Sequence, residues 1–158
     1  MNTYNFSSNS LDDTLMLGKN LASLLKKGDL VVLSGELGAG KTKFTEGFLK
    51  FFKLEDEISS PTFNIVNEYK KDDISIYHFD VYRLEDVSEF YEIGGDEYFE
   101  NGICLIEWGE LIKDALPKAF ISIDITKLEN DENKRLFRFS SYGERYDKIL
   151  ENLKSFYN

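Results

Sequence analysis

Long apolar runs are missing from this 158-residue chain; none approaches the ~18 residues that a membrane span needs. The opening residues Met1-Asn2-Thr3-Tyr4-Asn5-Phe6 have neither the basic nor the apolar region of a secretory signal, so the expectation is a cytoplasmic protein without membrane contact. Cysteine is nearly absent. Cys104 stands alone inside an apolar run, can form no internal disulfide, and reads as a small core residue rather than a reactive thiol. The single histidine, His78, cannot build a zinc site without further ligands and reads as a packed or hydrogen-bonded strand residue. Positive charge is scarce: the net charge of −10 argues against this chain alone gripping a nucleic-acid backbone. Repeats, low-complexity tracts and linkers are also lacking, which points to one domain over residues 1–158. Hydrophobic residues at 42% and aromatics at 15% place that domain among globular proteins.

Against this background one stretch stands out, Gly35-Glu36-Leu37-Gly38-Ala39-Gly40-Lys41-Thr42. It fits G-x-x-x-x-G-K-[ST], in which glycines let the backbone turn so that successive N–H groups point at an anion. In such a loop Lys41 reaches the outer phosphates as a point charge and the Thr42 hydroxyl sits on Mg²⁺. Leu30-Val31-Val32-Leu33 precedes the loop with strand length. Residues 41–52 follow with helical spacing, Phe44, Phe48, Leu49 and Phe52 on one side. Strand, glycine loop and helix together aim a helix N-terminus at phosphate, so the expected ligand is a nucleoside triphosphate.

The rest of the chain supplies candidates for the chemistry. Residues 3–7 read as an edge strand, and Ser10 as the N-cap of a helix with Asp12 and Asp13 in its first turn. Leu11, Leu15, Leu21, Ala22 and Leu25 form the stripe of that helix, closed by Lys26-Lys27-Gly28. The hydroxyl of Ser10 or Thr14 can lie near a base or ribose, or be a capping or solvated group. Pro61 stiffens Ser60-Pro61-Thr62-Phe63 into a loop where Thr62 can sense a terminal phosphate, or merely open a strand. Residues 64–69 and 75–80 alternate as a hairpin, with Ile76, His78 and Asp80 on one face and Tyr77 and Phe79 on the other. Asp80 at the strand end can position Mg²⁺ or an attacking water. Val87, Phe90 and Tyr91 indicate a short helix broken at Gly94-Gly95. Ile103-Cys104-Leu105-Ile106, apolar on both faces, marks a central strand whose carboxyl end carries Glu107, a magnesium candidate; a purely structural acid there requires a basic partner. Trp108 follows as core or contact surface. Two strands, 119–125 and 135–140, and a helix with Tyr146, Ile149, Leu150, Leu153 and Phe156 close an α/β fold with a mixed central sheet. Residues 80–110 hold ten acids against one base, Arg83, a solvated face or a docking surface for a basic partner.

Taken together the chain resembles the bacterial tRNA threonylcarbamoyladenosine biosynthesis ATPases of the TsaE (YjeE) family. The resemblance rests on the phosphate loop, Ser60-Pro61-Thr62-Phe63, His78-Phe79-Asp80-Val81-Tyr82-Arg83-Leu84 and Ile106-Glu107-Trp108, in that order. It implies a P-loop NTPase-like three-layer sandwich, with ATP and Mg²⁺ as cofactors and TsaB and TsaD as partners. tRNA would be met only indirectly, through that complex. By the same resemblance Lys41 holds phosphates, Thr42 and Glu107 hold Mg²⁺, and Asp80 assists metal or water. Thr62 would belong to a switch-like loop, Trp108 would lie near the partner-facing site, and Thr14 and Arg135 would approach the nucleotide.

Three rivals share the loop. A small-molecule kinase clamps its phosphoryl group with several arginines, and this chain has four in all, Arg83, Arg135, Arg138 and Arg145. A GTPase would carry N-K-x-D, but Asn133-Lys134 leads into Arg135-Leu136, and no D-x-x-G follows Asp80. A nucleotide-gated binding module with incidental hydrolysis remains the closest alternative.

Overall fold

The structure is a computed structural model that describes residues 1–36, 39–54, 65–82, 84–128 and 131–157. Leu37, Gly38, Thr62 and Arg83, named above, lie outside the described residues. Seven strands form one sheet: β1 (Asn2–Ser8), β2 (Leu30–Gly35), β3 (Val66–Lys71), β4 (Ile74–Asp80), β5 (Ile103–Glu107), β6 (Phe120–Lys127) and β7 (Arg135–Tyr142). Four helices accompany them: α1 (Leu11–Ala22), α2 (Lys41–Phe51), α3 (Val87–Glu92) and α4 (Glu144–Ser155). The spatial order is β1-β7-β6-β2-β5-β4-β3. Strands β6, β2, β5 and β4 run parallel to one another, while β7 pairs antiparallel with β6 and β1, and β3 pairs antiparallel with β4. The expected mixed sheet flanked by helices is therefore present.

Alternation along each strand divides the core in two. Val31, Leu33, Ile76, Ile103 and Leu105 face α1, α2 and α4, where Phe44, Phe48, Leu17, Leu21 and Leu150 fill one cluster. Leu30, Val32, Tyr77, Phe79, Cys104 and Ile106 point the other way, into a second cluster with Phe90 and Ile112. That second layer, built from α3 and the 3₁₀ segments Gly95–Glu100 and Gly109–Ala115, covers chiefly β2, β5 and β4, with Val66 of β3 and Phe120 of β6 at its margins. On the other half of the sheet Asp124, Thr126 and Arg138 remain exposed, as an antiparallel face can be. Cys104 is fully buried, and burial pushes its thiol up to about 12, which fits the inert core role.

Helix α1 starts as expected: Ser10 Oγ accepts the Asp13 N–H at 3.0 Å. Two details differ. The helix stops at Ala22, and Leu24 and Leu25 are carried into the core by tighter turns, Leu24 N–H to Leu21 O at 3.0 Å and Leu25 N–H to Ala22 O at 3.2 Å. Leu11, placed on the apolar stripe, is 51% exposed, and the buried face instead contains Thr14, Leu17 and Gly18. Gly18 belongs there because α1 and α2 touch backbone to backbone. A Cβ on Gly18 would strike the Phe44 carbonyl, and one on Gly47 the Leu15 carbonyl. At the far end of the chain Phe156 is half exposed rather than part of the α4 stripe. Helix α4 is anchored by Arg145, which grips Asp29 through two hydrogen bonds of 2.7 and 2.5 Å, and by Tyr146, whose hydroxyl accepts the Leu30 N–H at 3.0 Å. These contacts hold the start of β2, the strand that delivers the phosphate-loop sequence.

Candidate active site at the carboxyl ends of the parallel strands

Strand β2 feeds the glycine stretch at the carboxyl end of the parallel sheet. Gly35 is there for space: an added Cβ would lie 2.8 Å from the Ile125 carbonyl oxygen of β6. Gly40 is there for conformation, since its φ of 109° and ψ of 10° are left-handed and it immediately precedes α2. Helix α2 then begins with no side-chain cap and no acid in its first turn, while Lys41 occupies its first position and Thr42, exposed, its second. An uncapped first turn leaves backbone N–H groups and the positive end of the helix dipole to an external anion. Glu36 is exposed, its carbonyl accepts the Ala39 N–H at 3.0 Å, and Ala39 is buried.

Two acids end neighbouring strands level with this helix start. Asp80 closes β4, Glu107 closes β5, and the two are partners in the parallel register. Glu107 also pairs with Leu33 of β2, so it sits between the loop-bearing strand and β4. Its carboxylate is only 15% exposed and bonded on both oxygens: Lys41 Nζ lies 3.5 Å from Oε1 and His78 Nε2 2.7 Å from Oε2. Burial pushes the Glu107 carboxyl up, but the hydrogen bond and charge of His78 and then Lys41 outweigh it and hold the group below its ordinary range. The basic partner that a buried acid requires is therefore present twice over. Asp80 is exposed, and its Oδ1 accepts the Tyr82 N–H at 3.2 Å.

Trp108 adopts φ 64°, and its N–H donates to the Leu33 carbonyl at 3.1 Å. Gly109 lets the chain pass closely over β2, where a Cβ would meet Val32 Cγ1 at 2.6 Å. The Lys41 ammonium lies 4.4 Å from the centre of the Trp108 ring, and Tyr82, 64% exposed, packs on Trp108 with ring centres 5.3 Å apart. Trp108 is thus neither plain core nor plain surface, but a wall of the lysine's site.

Arg135, at the start of β7, packs its side chain 3.7 Å from the position of a Cβ on Gly40. It also donates to the carbonyls of Glu132 at 2.6 Å and Lys134 at 2.9 Å. The structure brings it beside the loop, although β7 is far from the loop in sequence. Thr14 is placed differently from either sequence expectation. It is 1% exposed and shares a 2.7 Å hydrogen bond with Ser8 Oγ, so its hydroxyl ties β1 to α1 and is neither solvated nor open to a ligand. His78, expected as a packed or hydrogen-bonded strand residue, is hydrogen-bonded, and its partner Glu107 lies on the adjacent strand β5, where spacing along one strand cannot place it. Next to the loop a cleft of about 530 Å³ runs between Ser34, Gly35 and Glu36 and the end of β6 at Asp124, Thr126 and Lys127. In it burial and the nearby Glu110 raise the Asp124 carboxyl above its usual range, against the pull of Arg138. The acids of residues 80–110 are exposed at nearly every position apart from Glu89 and Glu107, and Asp86 caps α3 by accepting the Ser88 N–H at 2.9 Å.

The donor chemistry fits the expected ligands. Glu107 is ionised, Asp80 is its register neighbour, and the Thr42 hydroxyl is exposed, a hard oxygen set of the kind Mg²⁺ takes. Among the described residues no three acid, histidine or cysteine side chains converge into a metal cage, and Mg²⁺ ordinarily needs only one or two carboxylates beside substrate phosphate. No helix among the described residues is long and apolar enough to cross a membrane.

Comparison with known proteins agrees with this arrangement. Residues 8–136 match the family described as "Threonylcarbamoyl adenosine biosynthesis protein TsaE". A protein named "tRNA threonylcarbamoyladenosine biosynthesis protein TsaE" from Bacillus subtilis is 42% identical over 143 residues, 90% of this chain and 88% of its own length. Its namesake from Rickettsia conorii is 45% identical over 129 residues, 81% of this chain and 73% of its own. The crystal structure of Bacillus subtilis YdiB superposes with a TM-score of 0.81 at 35% identity, covering 99% of this chain and 97% of that one.

Proposed function

Because the chain belongs to the TsaE family, we propose that it is a Mg²⁺-dependent ATPase serving threonylcarbamoyladenosine formation on tRNA, with TsaB and TsaD as partners. One observation carries the ATPase reading: a lysine at the open start of a helix, 3.5 Å from a buried ionised acid that ends the adjacent parallel strand. In a chain that only needed a stable core, a cation at a helix N-terminus opposes the dipole, and the same turn would be better occupied by an acid. The arrangement makes sense if phosphate oxygens complete it.

In this reading the N–H groups of the α2 first turn and Lys41 bind the phosphates, and the glycines keep side chains out of the cradle. The cleft between the loop and the end of β6 would accommodate the nucleoside, with Arg135 beside Gly40 on the other part of the loop. Thr42, Glu107 and Asp80 would hold Mg²⁺, which when bound neutralises charge on the phosphate oxygens. Lys41 has two positions to choose from. Its ammonium lies beside Glu107 and the Trp108 ring, and a bound triphosphate, with more negative charge, would draw it over and leave Glu107 as an oxygen ligand. Asp80, exposed beside Glu107, is the acid that orients a water towards the terminal phosphate. Trp108 and Tyr82 stand at the rim of this site, where a partner can sense whether Lys41 is engaged.

The test is ATP turnover by the purified chain with and without TsaB and TsaD. We expect turnover that rises when both partners are present. Glu107→Gln should lower Mg²⁺-dependent turnover by far more than it lowers ATP binding. No turnover in any combination, with ATP bound, would favour a nucleotide-gated binding module instead. An effect of Asp80→Asn on metal dependence without one of Glu107→Gln would exchange the two acids' roles.

A further inference from the structure

Glu107 is held from two sides, and only one of its two donors belongs to the phosphate loop. The other is His78, in the middle of β4, on the same strand face as Asp80 and 17% exposed. The imidazole Nε2 lies 2.7 Å from Oε2, a hydrogen bond in which an Nε2–H donates to the carboxylate oxygen. Each carboxylate oxygen then has its own donor, Oε1 facing Lys41 and Oε2 facing His78. Two donors on two oxygens fix the plane of the group as well as its charge.

We propose that His78 is the positioning residue for Glu107, the donor that keeps its carboxylate turned towards the loop when Lys41 engages phosphate. This rests on the ATPase reading above for its use, though not for its geometry. Among the described residues Lys41 and His78 are the donors to this carboxylate, so without His78 a Lys41 turned to phosphate would leave the group free to rotate. With His78 in place Oε2 stays occupied and Oε1 points at the position the lysine vacates. Hydrogen-bonded partners of a metal-binding carboxylate characteristically change metal affinity or activity by about 10–100-fold when removed, which sets the scale of the effect.

The experiment uses the whole chain in four forms: wild type, His78→Leu, His78→Gln, and His78→Leu combined with Glu107→Gln. Two readouts are needed. The first is the Mg²⁺ concentration that half-saturates binding of a non-hydrolysable ATP analogue. The second is the emission of Trp108, the sole tryptophan, in the nucleotide-free protein, because Lys41 bridges Glu107 and the indole. His78→Leu should raise the Mg²⁺ midpoint about tenfold, leave analogue binding without Mg²⁺ within about twofold, and shift the Trp108 emission. His78→Gln, whose side-chain amide can replace the Nε2–H donor, should recover most of both. On the Glu107→Gln background the histidine substitution should change neither, since the two act through one bond. Unchanged midpoint and emission in His78→Leu would overturn the proposal, as would equal changes on both backgrounds or a glutamine variant as impaired as the leucine one. If wild type binds no analogue, the ATPase reading falls, and the emission comparison still decides whether His78 holds Glu107.

Discussion

Helices α1 and α2 lie against each other on one sheet face, and their first turns are built in opposite ways. Every α-helix begins with backbone N–H groups that have no partner inside the helix. Helix α1 answers this from within: Ser10 caps it, and Asp12 and Asp13 place negative charge on the positive end of its dipole. Helix α2 has glycine at its cap, no acid in its first turn and a lysine at its first position. The first arrangement is what stability alone selects. The second gives up that stabilisation, worth a few tenths of a kcal/mol where glycine replaces a capping side chain, and leaves an anion site open. Glu107 reaches towards this helix start from across the sheet, with Lys41 as the link.

The contrast can be broken first at Gly40. An alanine there has room, since the nearest atoms to its Cβ are 3.7 Å away, but a left-handed φ of 109° strains any other residue. The cost should be about 1–2 kcal/mol of stability, measured by urea unfolding, together with weaker triphosphate binding because the cradle must shift. Ser10→Ala probes the other helix. It should cost about 1 kcal/mol in the same unfolding experiment and leave triphosphate affinity unchanged. The smallest effect concerns pH. The Glu107 carboxyl is held below its ordinary range in the folded protein, so its contribution to stability is present above the unfolded-state value and is lost as pH falls through the folded one. The stability gap between wild type and Glu107→Gln should therefore be widest at neutral pH and shrink on acidification; a gap that grows towards acid would mean the carboxyl is not favourably paired.

How much of this could be read beforehand depended on whether the information was local. The cap at Ser10, the glycine loop, the hairpin of β3 and β4 and the acid ending β5 are all written in consecutive residues, and each was legible. Pairwise facts were not. The Gly18 and Gly47 contacts require knowing that α1 and α2 cross, so spacing alone points to Leu11 where the fold buries Leu17 and Gly18. The stop of α1 at Ala22 is hidden in the sequence because Leu25 keeps the helical spacing while packing from a turn. His78 was assigned to the same strand face as Asp80, but its bond to Glu107 needed the register of β4 against β5. Arg135 beside Gly40 came from resemblance alone, since β7 reaches the loop only through the fold. Thr14 carries the same lesson in reverse: spacing left its hydroxyl available, and the neighbouring Ser8 had already taken it.

The most direct test of the contrast is calorimetric titration of ATP with Mg²⁺ into wild type, Lys41→Ala and Ser10→Ala at one salt concentration. If the start of α2 is the triphosphate site, Ser10→Ala binds as wild type does. Lys41→Ala, with its fold intact by circular dichroism, should lose a charged contact of about 1.5–3 kcal/mol, roughly tenfold or more in affinity. A folded Lys41→Ala protein that binds ATP as tightly as wild type would contradict the account.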